Sequence, residues 1–159
     1  MKVIFLDIDG VLNSRKYINS LGDGLFDNPT YQMDPVAVAR LNVITNATKA
    51  KIVVSSSWRL PFLMHPTPLP ALQACMQSYG ITGDIIGMTC ERANAVRNRR
   101  GKEIQIWIND HYNDIEKFVI IDDDTDMGRI RTHQVVTKFE DGLLDFHVDR
   151  IIEILGRVP

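Results

Sequence analysis

Cysteine is scarce in this sequence: Cys75 and Cys90 are the only two in 159 residues. That is too few for a disulfide framework, so a reduced, cytoplasmic setting is the simpler expectation. Long apolar runs are missing too. No uncharged stretch approaches the roughly 18 residues that a membrane span needs. The N-terminal run, Val3 to Leu6, is broken at Asp7 and is too short for a secretory signal. Charge of one sign is not in excess either. The formal net charge of −2 argues against indiscriminate coating of nucleic acid, although a local basic patch remains compatible with it. There is no internal repeat and no low-complexity stretch.

What is present is an ordinary soluble balance, 45% apolar and 24% charged, at a length that suits one core. A single domain over 1–159 is expected. Val3-Ile4-Phe5-Leu6 is continuously apolar, as in a strand buried on both faces. Residues 14 to 33 lack periodicity and hold Gly22, Gly24 and Pro29. They read as a long loop with room for a short hairpin. Asp34-Pro35 has the form of an N-cap followed by Pro at the first helical position, and Val38, Leu41, Val43, Ile44 and Ala47 then recur at roughly helical spacing. Ile52-Val53-Val54 predicts a second strand. A proline-rich loop follows, then a helix over 70 to 79 stopped by Gly80. A strand over 84 to 88, an amphipathic helix over 102 to 110 and a strand at Phe118 to Ile121 come next. Val135-Val136 is a weaker strand, and a helix over 146 to 155 ends at Gly156. Short apolar strands alternating with helices predict an α/β fold. Its expected form is a Rossmann-like three-layer sandwich with a mostly parallel central sheet.

Ligands of such sheets bind beyond the carboxyl ends of the strands. Three strands end in polar chemistry there: Asp7 and Asp9, Ser55, and Asp122 with Asp123. Asp7-Ile8-Asp9 places two carboxylates two residues apart, so both can lean to one side, and Gly10 permits a sharp turn. So many carboxylates cannot share a crevice uncompensated, because their repulsion would raise their pKa values or open the edge. A hard divalent cation resolves the conflict, and Mg²⁺ is the usual one beside phosphate. Taken singly, each of these aspartates reads more readily as a loop cap or solvated turn residue, and it is the whole set at strand ends that points to a cation. Ser55 to Ser57 offer hydroxyl and N–H groups suited to phosphate oxygens. Either Ser55 or Ser56 fits that role, depending on where the strand ends. Lys102, at a helix start, could set its charge over a phosphoryl group or stand solvated on the surface.

With these residues the chain resembles the haloacid dehalogenase (HAD) superfamily of aspartyl-phosphate-forming phosphohydrolases. The family's first motif, apolar residues followed by D-x-D-G-x-L, reads Val3 to Leu12, with Val11 in place of the usual Thr. The second reads Ile52-Val53-Val54-Ser55, the third Lys102, and the fourth Phe118 to Asp123. The resemblance implies that Asp7 is the nucleophile and that Asp9 is first the general acid, then the base. It implies that Ser55 holds a phosphoryl oxygen and that Lys102 steadies the transferring charge. Mg²⁺ would be held by Asp7, Asp122, Asp123 and the backbone carbonyl of Asp9. Asp124 and Asp126 are open between metal-linked and plain loop acids.

Substrate choice in this superfamily usually resides in cap insertions, and the spacings here leave room for a minimal cap or none. The resemblance implies an open site, and family members of that kind often act on phosphate displayed by macromolecules. Trp58 could stack on a base or sit in the core, and Arg59 could grip a phosphate. Arg92, Arg97, Arg99, Arg100 and Lys102 form a local basic stretch, with Arg100 the expected substrate contact beside Gly10 and Ser56. The Ser-Ser-Ser-Trp-Arg, Arg-Gly-Lys-Glu-Ile and Ile-Asp-Asp-Asp segments are similar to HAD domains associated with RNA repair. Lys102-Glu103-Ile104-Gln105-Ile106-Trp107 also resembles the corresponding helix in the phosphatase domain of phage-type polynucleotide kinase–phosphatase. No G-x-x-x-x-G-K-[ST] loop is present, so the implied activity is phosphatase without kinase, on nucleic-acid 3′-phosphate ends. The alternatives are a small-molecule nucleotide or sugar phosphatase and a catalytically silent binding module. A signalling receiver fits poorly, since its phosphorylated Asp ends a middle strand, where this chain has Ser55.

Overall fold

The computed structural model describes residues 1–22, 33–89 and 100–158. Five strands form one sheet: β1 (Lys2–Leu6), β2 (Lys51–Val54), β3 (Ile85–Met88), β4 (Lys117–Asp122) and β5 (Gln134–Val136). Their order is β3-β2-β1-β4-β5, and every pairing is parallel. The chain lays down β1, β2 and β3 toward one edge, then crosses back to place β4 on the other side of β1. The crevice between β1 and β4 is therefore the topological switch point, where α/β sheets bind ligands.

Strand periodicity splits the apolar residues between two faces. Ile4 and Leu6 of β1 join the larger core with α2 (Pro35–Thr48), α3 (Pro68–Ser78) and α5 (Asp145–Leu155). Val3 and Phe5 point the other way, with Val53 and Ile120, against Ile104, Trp107 and Ile108 of α4 (Arg100–Asp110). A 3-10 segment at Gly128–His133 completes that face through Ile130. The result is the expected Rossmann-like sandwich, with a sheet that is wholly rather than mostly parallel.

Local signals act as the sequence suggests at α2, where the Asp34 carboxylate accepts from the N–H of Val36 at 2.8 Å. Elsewhere tertiary contacts change the outcome. Residues 15–20, expected as loop, form a short helix, α1 (Arg15–Ser20). Ser14 caps it by accepting from the N–H of Tyr17, and the N–H of Arg15 is bound by the carbonyl of Phe139. Residues 57–62 of the proline-rich loop wind into a 3-10 segment. Helix α4 already includes Arg100, the first described residue of its segment, two residues before the expected start at Lys102. Arg92, Arg97 and Arg99 lie outside the described residues. Among the described residues, no helix is long and apolar enough to cross a membrane.

Candidate active site

Parallel register explains why the site assembles. Leu6 pairs with Val54 on one side and Ile121 on the other, and Val54 pairs with Met88. One residue further along, Thr89, Ser55, Asp7 and Asp122 lie in a single row across four strand ends. Backbone bonds close the row: the N–H of Asp7 donates to Ile121 at 3.0 Å, that of Ser55 to Leu6 at 2.9 Å, and that of Thr89 to Val54 at 3.0 Å. Period two then sets direction. Asp7, Ser55 and Asp122 share the parity of Phe5, Val53 and Ile120, which face α4.

Arg100, the first described residue of that helix, meets them. Its Nη1 lies 2.9 Å from the Asp7 carboxylate and 3.3 Å from that of Asp122. Burial works against the Arg100 charge, but the two carboxylates outweigh it and hold its pKa above the ordinary range. Lys102 is exposed. Two helical residues are about 200° of rotation, so a lysine at position 102 is turned away when position 100 faces the site. The expected role of Lys102 therefore has no geometric support, and Arg100 occupies the place foreseen for it.

Oxygens of Asp7, Asp122 and Asp123 lie within 4.8 Å of one another. Asp122 is fully buried; its Oδ2, the oxygen 3.3 Å from Arg100 Nη1, makes no hydrogen bond, and its Oδ1 accepts from the N–H of Asp124 at 2.9 Å. Burial, then the charge of Asp7, pushes the pKa of Asp122 up to about 7. The same two causes raise that of Asp123. One guanidinium facing three crowded carboxylates leaves negative charge uncompensated. An all-oxygen donor set of three converging carboxylates fits a hard divalent cation such as Mg²⁺. Asp124 and Asp126 are outside this cluster. Asp124 binds the N–H of Thr125, and Gly101 donates its N–H to the backbone carbonyl of Asp126 at 3.1 Å.

The titration of Asp122 gives a pH prediction. Between pH 3.8 and about 7 the folded protein holds a proton on Asp122 that the unfolded chain has lost. Stability of the metal-free protein should accordingly fall as pH rises through that window, because the folded state binds more protons. Mg²⁺ needs the ionised carboxylate, so its binding should release that proton. Titration calorimetry should show affinity rising by up to about tenfold per pH unit below 7 and levelling above it. An affinity flat from pH 5 to 8 would place the ion elsewhere.

Gly10 was expected to touch substrate, but its backbone is already engaged. Its N–H donates to Asn13 at 2.9 Å, and its carbonyl accepts from the buried Thr137 hydroxyl at 2.7 Å. Its φ of 72° lies in the left-handed region, and a Cβ there would come within 2.4 Å of the Asp123 carboxylate. Glycine is needed so that the two acidic loops can touch. Ser56 is also diverted from substrate: its Oγ caps the 3-10 segment by accepting from the N–H of Trp58 at 3.4 Å. Ser55, by contrast, is fully buried with an unpartnered hydroxyl, as is Thr89 beside it.

Arg59 departs furthest from expectation. It is buried, with Nε donating to the Thr89 carbonyl at 2.8 Å and Nη1 to the carbonyls of Ser55 and Ser56 at 3.2 and 2.5 Å. Its Nη2 pairs with buried Glu103 at 2.6 Å. The guanidinium therefore ties the ends of β2 and β3 to α4 and does not reach out to a phosphate. Trp58 is half-buried against the larger core, edge-on to Tyr79 at a centroid distance of 5.9 Å. Its indole N–H donates to Asp9 Oδ1 at 3.1 Å, and Asn13 Nδ2 donates to the same oxygen at 3.0 Å. Asn13, Thr89, Glu103 and Thr137 escaped sequence reasoning. Only Thr89 carried a signal, as a hydroxyl directly following an apolar strand.

Acidic first and fourth strand ends at a switch point, faced by a basic residue from a helix start, are the plan of haloacid dehalogenase superfamily domains, and this fold is theirs. The chain belongs to the family described as the HAD domain in Swiss Army Knife RNA repair proteins, whose model matches residues 3–148. No curated protein and no solved structure matches it. Membership agrees with the resemblance carried by the four motifs, and the general activity it suggests is hydrolysis of a phosphate ester.

Proposed function

We propose that this protein is a Mg²⁺-dependent phosphomonoesterase working through an aspartyl phosphate on Asp7, with nucleic-acid 3′-phosphate ends as substrate. The observation that carries the reaction is the convergence of Asp7, Asp122 and Asp123 oxygens within 4.8 Å beneath Arg100. The family's description, with its link to RNA repair, is what supports the substrate.

In the first step an Asp7 oxygen attacks phosphorus, the bond to the leaving oxygen breaks, and Asp9 gives that oxygen its proton. In the second, water attacks the phosphorus and Asp9 takes its proton, while the Asp7 carboxylate leaves. Ser55 donates its buried hydroxyl to a phosphoryl oxygen. Arg100 holds Asp7 in place and balances charge as the phosphoryl group moves. Asp7, Asp122, Asp123 and the Asp9 carbonyl would hold Mg²⁺, which when bound draws negative charge from the phosphoryl oxygens. The whole chain is proposed to act as one domain, in a cytoplasmic setting.

A second reading, a small nucleotide or sugar phosphatase, is favoured by one finding. Arg59 and Trp58, expected to hold a polynucleotide, are turned to internal partners. Phosphate release should be compared between a 3′-phosphorylated oligonucleotide and the matching mononucleotide, with Mg²⁺ and with chelator. Metal-dependent release with higher kcat/KM on the oligonucleotide is the expected result. Equal kcat/KM on both would leave the small-molecule reading, and no release from either would overturn the phosphatase.

A further inference from the structure

We propose that Trp58 is a positioning residue which, together with Asn13, anchors one oxygen of Asp9 and so leaves the other to carry the catalytic proton. The inference rests on the phosphatase reading above. Both donors converge on Oδ1, at 3.1 Å from the Trp58 indole and 3.0 Å from the Asn13 amide. Among the described residues nothing engages Oδ2. An indole N–H can only donate. An oxygen that already receives donors is a poor site for an O–H, because the proton would face other protons. The acid form of Asp9 is thereby directed to hold its proton on Oδ2, and the carboxylate is held in one orientation.

The two donors come from different parts of the chain. Asn13 closes the turn after β1, where the N–H groups of Val11 and Leu12 both return to the carbonyl of Ile8. Trp58 arrives from the segment after β2, seated on the core and on Tyr79. The serine-bearing loop and the acid-bearing loop are thus locked together through Asp9. In the first step the Oδ2 proton goes to the departing oxygen as its bond to phosphorus breaks. In the second, Oδ2 takes a proton from water. Oδ1 keeps its two donors throughout, so neither step needs Asp9 to turn over.

This arrangement matters most when the leaving group is a poor one. A sugar hydroxyl needs its proton as it departs, whereas an activated aryl oxide departs without one. Trp58→Phe keeps a ring beside Tyr79 and removes the N–H. The readout is kcat/KM, which reports the step in which the leaving group departs. On a 3′-nucleotide it should fall by about tenfold or more, while on p-nitrophenyl phosphate it should fall by less than about threefold. In an Asp9→Asn background, Trp58→Phe should add no further loss on the nucleotide. If Trp58→Phe does not fold, Asn13→Ala removes the other donor and should show the same split between substrates.

Equal losses on both substrates would overturn the inference and leave Trp58 a purely structural residue. So would an undiminished effect in the Asp9→Asn background, or no loss on the nucleotide. The phosphatase mechanism itself fails in a different way, if Asp9→Asn alone cleaves the nucleotide as well as the wild type does.

Discussion

Asp7→Asn is expected to lower phosphate release by more than about a thousandfold, because an amide can neither attack phosphorus nor leave as a carboxylate. The protein should stay folded. Asn is nearly isosteric, and it removes one of the charges that raise the pKa of Asp122 and Asp123. Arg100 keeps its second partner, Asp122, at 3.3 Å. Circular dichroism and thermal unfolding should match the wild type closely while turnover is lost. Two further variants separate the basic residues on α4. Arg100→Ala removes the only guanidinium that touches both Asp7 and Asp122 among the described residues, and should cost about a hundredfold. Lys102→Ala alters an exposed side chain and should leave the rate within about twofold. The reverse ranking would return the catalytic charge to Lys102.

Arg59→Ala is expected to destabilise the fold by about 3–5 kcal/mol, the usual cost of removing one partner from a buried ion pair. The loss would leave Glu103 as a buried carboxylate without its cation and would strip the carbonyls of Ser55, Ser56 and Thr89 of a shared donor. At this chain length that corresponds to a drop in Tm of roughly 10 °C. Arg59→Lys keeps a charge but lacks the planar fork that reaches four acceptors at once, so it should recover only part of the stability. Thermal unfolding of the three proteins checks the order. A substrate-gripping arginine would behave oppositely, with Tm unchanged and KM raised.

The contrast between Arg59 and Asp7 shows what could be read in advance. Asp7 follows a run of apolar residues, and the position of a strand end is a local property. Its partner strand also ended in acid, so the pairing of Asp7 with Asp122 was legible from pattern. Arg59 stands at the head of a proline-rich stretch, between Trp58 and Leu60, and that composition does not say which way its guanidinium turns. Whether its guanidinium meets solvent or three carbonyls depends on where β3 and α4 lie, and those are distant in sequence. Lys102 and Arg100 differ for a related reason. Both are basic residues at one helix start, and only the phase of the helix against the sheet tells them apart. Asn13 and Trp58 are 45 residues apart and meet at a single carboxylate oxygen.

By itself the sequence determined that parallel strands would end in acid at one edge, because apolar runs, their lengths and their terminating residues are encoded locally. It also determined the need for a glycine after Asp9, through the backbone freedom of that residue type. Only the tertiary structure decided which basic residue faces Asp7, which serine keeps an unpartnered hydroxyl, and which oxygen of Asp9 receives two donors. Those outcomes turn on register and helix phase, where a shift of one residue reverses a side chain, and packing between distant segments sets both.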